Sequence, residues 1–385
     1  MRPRLLLALV LGAMVFTGLE RSLPTADPRD FGSFIASANA GTRGENPYGV
    51  YPLTFHVVLR GFDVWNPNLN PPISVLFFRV FQRLETARAF RIWWSLSLLC
   101  YMAAVLLLAR QYGRRMHWLI PLWAFAHAGL WDTLFLGQLY LPLVVIVAGS
   151  WLLLDTYRPV SAGVLLGILV AVKPNFLVWP ALLLLAGHWR TPTSAAVTFA
   201  SLWILPVLPL GADTYRQWIQ VIVSDDVRGA FLTNASIPGL MQRLGAGPLG
   251  ALLSIVALAG AAVWAFRRKP SSLQASALGI ALGIAASPIA WVHYTLFLLP
   301  VFFCCRPTRL LTTSAALVVI PVPFVLRFID APIWAQATIG SAYNWSVLLC
   351  LGALTLEAVR RPTPALAARP ALAGPALLRR TRDDG

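Results

Sequence analysis

Long apolar stretches separated by short polar segments recur along the whole chain. This pattern predicts an all-α, polytopic membrane protein with about twelve transmembrane helices. The apolar runs cover 5–19, 91–109, 118–135, 139–155, 160–172, 175–188, 194–210, 248–266, 272–289, 293–305, 308–327 and 343–359. Several are shorter than the ~20 residues that a helix needs to cross the hydrocarbon. Short spans are tolerated where a helix packs on protein or lines a cavity.

Two segments near the N-terminus need separate treatment. A cleaved signal peptide would look similar to the first run, but no clean small-residue cleavage site follows, so we expect an uncleaved helix. The segment 72–84 is apolar on one helical face and carries Arg79 and Arg83, one turn apart, on the other. This amphipathic pattern favours a helix that lies in the membrane interface and does not cross it.

Composition agrees with a membrane location. Hydrophobic residues make up 58% of the chain and charged residues 12%, and the mean hydropathy is +0.69. A soluble globular chain is about one quarter charged, so a soluble protein is excluded. The net charge of +16 could indicate nucleic-acid binding, but basic cytoplasmic loops of a membrane protein explain it better, and we expect no nucleic-acid partner.

The distribution of basic residues predicts the orientation. With the N-terminus inside, the predicted inner loops carry a large positive excess, whereas the outer side is nearly neutral. If 72–84 crossed the membrane, the cluster Arg110–Arg115 would face outward. We therefore predict a bacterial inner-membrane protein with both termini in the cytoplasm. Residues 1–359 form the membrane domain, with a first periplasmic loop at about 20–90, and 360–385 form a basic, disordered tail.

Polar residues at the predicted outer face are candidates for chemistry. Asp30 precedes Phe31, Phe34, Ile35 and Ala38, which repeat as one face of a short helix. An aspartate at this position is often only a helix cap. The nearby Asp27 is a spare acid, a cap or a partner of Asp30.

Further along the chain, Gln138, Lys173 and His293 fall at the same predicted depth as Asp30. Lys173 ends one apolar run, and either it anchors the helix at the lipid headgroups or it binds a phosphate. His293 follows a proline break among aromatic residues, which by themselves could be an interfacial belt. Gln138 and Asn70 lie in predicted outer turns.

Short polar motifs recur in a fixed order along most of the chain. They are Asp30-Phe31, Asn46-Pro47-Tyr48, Asn68-Leu69-Asn70-Pro71-Pro72, Gly137-Gln138, Lys173-Pro174, Asn234-x-Ser236 and Ser287-Pro288-x-x-Trp291-x-His293. Taken in chain order, these motifs resemble glycosyltransferase family 87 of the GT-C class. Phe34 stands where the family usually has a tyrosine, a departure that leaves the acid in place.

The resemblance implies a GT-C-like fold and periplasmic transfer of a hexose from a polyprenyl-phosphate sugar donor to a glycolipid or glycan acceptor. Mannose is the sugar that the family suggests, and arabinose or glucose stay open. Asp30 matches the family's first-loop catalytic aspartate, which acts as general base. No Asp-x-Asp occurs in the outer loops, so we expect no metal and no cofactor.

Elementary chemistry fits that activity. A lipid phosphate leaves as a stable anion, so one carboxylate is enough, whereas glycosidases need a second carboxyl group as acid. The phosphate needs positive charge and hydrogen-bond donors, for which Lys173 and His293 are the candidates. Asn70, Gln138 and Asp27 are weaker candidates for binding substrate. The alternative is a multi-span transporter or a lipid-linked sugar flippase, but carriers tend to show repeated halves, and none is visible here.

Overall fold

The computed structural model of the protein describes residues 3–59, 62–113, 118–224 and 227–360. The α-helices are α1 (Pro3–Ser22), α2 (Arg29–Thr42), α3 (Pro72–Phe78), α4 (Thr86–Tyr112), α5 (Leu119–Phe125), α6 (Ala128–Leu136), α7 (Tyr140–Asp155), α8 (Pro159–Val172), α9 (Val178–Leu185), α10 (Arg190–Ile204), α11 (Val207–Leu210), α12 (Asp213–Val223), α13 (Ile237–Arg243), α14 (Gly247–Arg268), α15 (Ser272–Ala285), α16 (Leu299–Cys304), α17 (Arg309–Leu317), α18 (Val322–Val325), α19 (Ile333–Ala337) and α20 (Ala342–Arg360). Short 3-10 helices include Arg79–Phe81, Pro174–Leu177, Arg228–Ala230 and Val292–Leu298.

The predicted all-α, membrane-like character is confirmed. In the described part of the chain, six helices are long and apolar enough to cross a membrane, or seven if a pair bent by 86° counts as one span. The six are Arg4–Ser22, Thr86–Tyr112, Leu119–Leu136, Arg190–Leu210, Gly247–Arg268 and Ile333–Ala358, and the bent pair is Arg309–Leu317 with Val322–Phe328. Every predicted apolar run contains a helix or a broken helix, but twelve crossings stay a prediction.

The remaining apolar helices are shorter, and some of them, such as α15, lie in the interior of the bundle. In α15 nearly every residue is buried, from Leu273 to Ala285. A capping box of Ser271 and Gln274 starts this helix. By contrast, the long helix α14 keeps most of its side chains exposed. The short inner helices therefore bury their backbone and side chains against protein, which removes the need to match the full thickness of a bilayer.

A β-hairpin in the first loop departs from the all-helical expectation. Strand β1 (Phe55–Leu59) pairs antiparallel with β2 (Phe62–Asn66), with Phe55 opposite Asn66. Ser33 of α2 joins both strands, because its Oγ accepts from Phe55 N at 2.9 Å and donates to the carbonyl of Asn66 at 2.7 Å. The hairpin is thus attached to α2 one turn after Asp30.

An aromatic cluster anchors α2 to the membrane helices. The ring of Phe31 lies 5.5 Å from that of Phe90 and 5.9 Å from that of Phe78. Phe34 stacks on Phe78 at 4.7 Å. The first-loop helices α2 and α3 are therefore packed on α4 as part of the hydrophobic core, and do not form a separate layer.

The two helices predicted for the first loop are both present. One is α2, and the other is α3 continued by the 3-10 helix Arg79–Phe81. Their location at a membrane interface stays a prediction. The predicted basic tail lies, from residue 361 onward, outside the described residues, as do Arg114 and Arg115 of the basic cluster that supports the predicted orientation.

Candidate active site

Asp30 is a buried carboxylate held by two side-chain amides. Its side chain lies in the first turn of α2, and the residue is 2% exposed. Asn66 Nδ2 donates to Oδ1 at 2.5 Å, and Gln138 Nε2 donates to Oδ2 at 2.6 Å. Each carboxylate oxygen therefore has one donor and keeps further lone pairs for a substrate hydroxyl.

Asp30 does not cap its own helix. The residue before the helix is Pro28, which makes no side-chain cap bond, and Asp27 Oδ1 instead accepts from the backbone N–H of Arg29 at 3.1 Å. Asp27 thus satisfies a free N–H at the start of α2, which leaves the Asp30 carboxylate available. Three roles were considered for Asp27: a spare acid, a helix cap or a partner of Asp30. Its hydrogen bond with the Arg29 N–H is of the kind that a cap makes.

The chain enters α2 through a strained residue. Arg29 has φ +48°, a region that residues other than glycine rarely adopt. Its guanidinium lies 3.5 Å from the centroid of the Phe135 ring, and Nη1 donates to the carbonyl of Phe135 at 2.6 Å. These contacts hold Arg29 and orient the first turn of α2, so that Asp30 turns inward.

A glycine turn brings Gln138 to Asp30. Gly137 ends α6 with φ +72°, and a Cβ at this position would lie 2.7 Å from Phe31 Cβ and 2.8 Å from Phe90 Cε2. Only glycine allows both this conformation and this close approach. Trp93 Nε1 donates to the Gly137 carbonyl at 2.9 Å and fixes the turn from the other side.

Burial raises the pKa of Asp30 from 3.8 to about 6. Desolvation is the largest cause, and it is partly offset by the hydrogen bonds from Gln138 and Asn66 and by the positive charges of Arg228 and Arg29. At neutral pH the carboxylate is therefore mostly ionised, yet it is a stronger base than an ordinary aspartate. Both properties suit a general base.

Asp30 lies on the wall of a cavity of about 950 Å³. The wall is mostly apolar, with residues from α1, α2, both strands and α6. The charged side chains on the wall are Asp27, Asp30, Asp132, Arg21, Arg29, Arg228 and Arg327. Gln138 and His293 also line it, so four of the six predicted site residues share one cavity. Lys173 and Asn70 are not part of the lining.

Lys173 and Asn70 belong to a buried network beside the cavity. Lys173 is 8% exposed, and its Nζ donates to Asn70 Oδ1 at 2.8 Å and to the Tyr140 hydroxyl at 2.9 Å. Asn70 Nδ2 in turn donates to Asn68 Oδ1 at 2.9 Å. A snorkelling lysine keeps its charged head in water, whereas this ammonium is buried and hydrogen-bonded to protein. It ties the loop around Asn70 to the start of α7.

His293 stacks on the ring of Tyr140, with ring centroids 5.0 Å apart. Its Nε2 lies 3.4 Å from Asp132 Oδ2, and its Nδ1 lies 3.3 Å from Thr133 Oγ1. Tyr140 therefore contacts both predicted phosphate-binding residues, and of the two only His293 lines the cavity.

Three residues of the site are not among the sequence candidates. Asn66 stands two residues before the motif that begins at Asn68. Arg228 begins the 3-10 helix Arg228–Ala230, and its Nη2 donates to the carbonyl of Trp65. Asp132 is an acid inside an apolar run, which is itself a signal of function in a membrane protein.

The described residues were compared with the clusters of His, Cys, Asp and Glu that bind metal ions. Within the described ranges, no group of three or more His, Cys, Asp or Glu side chains could hold a metal ion. An apolar helical bundle with a buried carboxylate on a large cavity defines an integral membrane protein with a candidate catalytic site.

Comparison with known proteins identifies the class. A model of glycosyltransferase family 87 matches residues 68–288, more than half of the chain. The protein therefore belongs to glycosyltransferase family 87 and is a membrane glycosyltransferase, which confirms the resemblance seen in the sequence. The matched region contains Asn70, Asp132, Gln138 and Lys173, whereas Asp30 and His293 lie outside it.

A curated relative is the polyprenol-phosphate-mannose-dependent alpha-(1-2)-phosphatidylinositol mannoside mannosyltransferase of Mycobacterium tuberculosis. It is 26% identical over 228 residues, which cover 54% of this chain and 53% of the relative. The chain thus spans about half the length of the curated relative that it matches. No solved structure matches.

Proposed function

We propose that this protein transfers a hexose, with mannose as the first candidate, from a polyprenyl-phosphate sugar donor to a hydroxyl group of a glycolipid or glycan, with inversion at the anomeric carbon. The observation that carries the proposal is the buried Asp30, ionised and oriented by Asn66 and Gln138, on the wall of a cavity of about 950 Å³.

Asp30 acts as the general base. The acceptor hydroxyl loses its proton to Asp30 as its oxygen attacks the anomeric carbon, and a positioned base of this kind contributes about 10²–10⁴-fold in rate. The two amide donors hold both carboxylate oxygens in place before the substrate arrives, so little reorganisation is needed. A single displacement of the phosphate by the acceptor oxygen inverts the configuration at the anomeric carbon.

The phosphate of the donor binds beside basic residues of the cavity wall. Arg29, Arg228 and His293 line the wall and can supply charge and N–H donors to the phosphate oxygens. Lys173 was expected to share this role, but its Nζ already has Asn70 and Tyr140 as partners. We therefore assign Lys173 a structural role, in which it links Asn70 to Tyr140 beside the cavity. We assign Gln138 to orienting the carboxylate of Asp30.

The apolar part of the wall suits the lipid chain of the donor. Trp131, Phe135 and Phe324 line the cavity together with Met14 of α1 and with the valines and Leu59 of the hairpin. A polyprenyl chain entering from the bilayer would find a continuous apolar surface here. The relative's name describes a polyprenol-phosphate-mannose-dependent enzyme, which supports the choice of donor and of mannose.

The reaction takes place on the periplasmic side of a bacterial inner membrane. This proposal is supported by the residues of the cavity, since Asp30, Asn66, Arg228 and His293 all come from segments that the charge pattern assigns to the outer side. The same pattern assigns both termini to the cytoplasm.

The first experiment is a transfer assay in membranes that contain the wild type, Asp30→Asn or Asp155→Asn. Radiolabelled polyprenyl-phosphate mannose is the donor, with other polyprenyl-phosphate sugars beside it. Asp155 is a matched control, because it accepts hydrogen bonds from Gln111 and Tyr112 and is not part of the cavity lining.

We expect transfer by the wild type and by Asp155→Asn, and a loss of about 10²-fold or more in Asp30→Asn at equal protein level. Absence of transfer by the wild type from any donor would refute the proposed reaction and favour a carrier. Full activity of Asp30→Asn would leave the reaction in place and assign the base to another residue.

A further inference from the structure

Both ring nitrogens of His293 face adjacent residues of one helix. Asp132 Oδ2 lies 3.4 Å from Nε2, and Thr133 Oγ1 lies 3.3 Å from Nδ1. His293 is 3% exposed and the Asp132 side chain 15% exposed, and both line the cavity. Among the described residues, His293 is the ion-pair partner of Asp132. The helix α6 therefore holds the imidazole at the cavity wall by both of its nitrogens.

The hydrogen-bond partners show where the protons lie. Thr133 has one hydroxyl proton, and its Oγ1 donates this proton to the Gly129 carbonyl at 2.5 Å. Toward His293 the same oxygen can only accept, so Nδ1 carries a hydrogen. In a neutral ring Nε2 would then be unprotonated and would face a carboxylate oxygen, and two acceptors repel each other.

A proton shared between Nε2 of His293 and Oδ2 of Asp132 removes that repulsion. It makes either an imidazolium beside a carboxylate or a neutral imidazole beside a carboxylic acid. In both forms the pair is neutral as a whole, which suits its burial, because an unpaired buried charge is costly. The pair therefore stores one proton at the cavity wall.

Several charged or titratable groups face this pair from the surrounding elements. They are Asp30 of α2, His127 before α6, Tyr140 of α7, Lys173 after α8 and Tyr343 of α20. The negative charge of Asp30 favours a proton on the pair, whereas the positive charge of Lys173 opposes a positive imidazole. All five remain in the variants used below.

We propose that Asp132 is a positioning residue that keeps a second proton on His293, and that this proton passes to the donor phosphate as the sugar leaves. The inference rests on the proposed function. It deepens that function by assigning the acid side of the reaction, in which Asp132 acts through His293.

The step balances in atoms and charge. The acceptor oxygen bonds to the anomeric carbon, and the bond from that carbon to the phosphate oxygen breaks with its electron pair on the oxygen. The acceptor proton goes to Asp30. The phosphate, which carried one negative charge in the donor, would now carry two, and the proton of the pair removes one. The proton on Asp30 then returns to the pair across the cavity, and the enzyme regains its starting state.

The test compares the pH dependence of transfer in the wild type, Asp132→Asn, Asp132→Glu and the matched control Asp155→Asn. We expect kcat of Asp132→Asn to fall about 10²-fold, with the donor KM changed less than about threefold, because the interaction is made as the phosphate leaves. The activity of the wild type should decline at high pH, where the pair loses its proton.

In Asp132→Asn this decline should move to lower pH by at least about one pH unit, because an imidazole without the carboxylate loses its proton more easily. Asp132→Glu should restore the wild-type position of the decline, and Asp155→Asn should match the wild type throughout. The double variant Asp132→Asn/His293→Gln should be no slower than His293→Gln alone, because Asp132 acts through the histidine.

Wild-type kcat and an unchanged pH profile in Asp132→Asn would overturn the inference while leaving the proposed function intact. Failure of the wild type to transfer would overturn both. If Asp132→Asn does not accumulate in membranes, His293→Gln answers the same question. It should abolish the decline at high pH, and an unchanged decline would refute the inference.

Discussion

The amide of Gln138 offers a quantitative test of how the site sets the basicity of Asp30. Its Nε2 donates to Oδ2 at 2.6 Å, and the substitution Gln138→Leu removes that donor while keeping a side chain of similar volume. The second donor, Asn66, remains. The carboxylate then loses stabilisation of its charged form, whereas the protonated form loses little.

The size of the effect follows from the hydrogen bond. A hydrogen bond to a charged group contributes about 1.5–3 kcal/mol, and about 1.36 kcal/mol corresponds to one pKa unit. The pKa of Asp30, raised to about 6 in the wild type, should therefore rise by a further one to two units, to about 7–8. At pH 7 the ionised fraction falls from roughly nine tenths to between one half and one tenth.

The assay is kcat/KM for sugar transfer between pH 5 and pH 9, because this ratio reports the ionisation of the free enzyme's base. A base must be ionised, so activity rises with pH through its pKa, and a higher pKa moves this rise to higher pH. We expect Gln138→Leu to lose activity strongly at pH 6 and to recover much of it by pH 9.

A matched variant separates this effect from general damage. Gln111→Leu removes an equivalent amide-to-aspartate hydrogen bond, from Gln111 Nε2 to Asp155 Oδ2 at 2.8 Å, away from the cavity. It should leave the pH profile unchanged. A loss of activity in Gln138→Leu that is the same at every pH would refute the reasoning, because it would show that Gln138 supports the shape of the site and not the charge of Asp30.

Two further predictions concern stability and the hairpin. Asp30→Asn should raise the Tm in detergent at pH 8 but not at pH 4. The pKa of Asp30 is about 6 in the folded protein and ordinarily 3.8, so the ionised carboxylate destabilises the folded state above pH 6. This destabilisation disappears as the pH falls toward 3.8. A gain that does not depend on pH would contradict this account. Ser33→Ala should lower the free energy of unfolding by about 1–3 kcal/mol and reduce kcat, because it removes the two hydrogen bonds that join the hairpin, which carries Asn66, to α2. Thermal unfolding together with the transfer assay checks this, and an unchanged kcat would show that the hairpin is not needed to place Asn66.

The β-hairpin shows where a hydropathy pattern fails. Residues 55–59 and 62–66 are rich in valine and aromatic residues and flank the dipeptide Arg60-Gly61, a pattern typical of a short hairpin. In a chain that is 58% hydrophobic, however, such short runs do not stand out. The strands are stabilised by their attachment to α2 through Ser33, a contact between segments more than twenty residues apart.

The site residues show the same difference between local sequence patterns and contacts made by distant segments. Asp30 became a candidate base through the family motif, because an aspartate at the start of a helix is by itself most often a cap. Gln138 became a candidate because it is a polar residue between two apolar runs. The assignment of Lys173 to the phosphate depended on what it contacts, and its partners Asn70 and Tyr140 lie 103 and 33 residues away. Spacing along the chain carries no information on such contacts.

The sequence by itself determined that this protein is helical, embedded in a membrane and a member of glycosyltransferase family 87, and it pointed to the aspartate in the first loop. These properties follow from the length and apolarity of single segments and from short motifs, which are local. The tertiary structure alone decided which polar side chains share a cavity, that Asn66 and Gln138 orient Asp30, and that Asp132 pairs with His293. Burial and hydrogen bonding are properties of pairs of segments, and the partners here are up to 161 residues apart, so they exist only once the helices have packed.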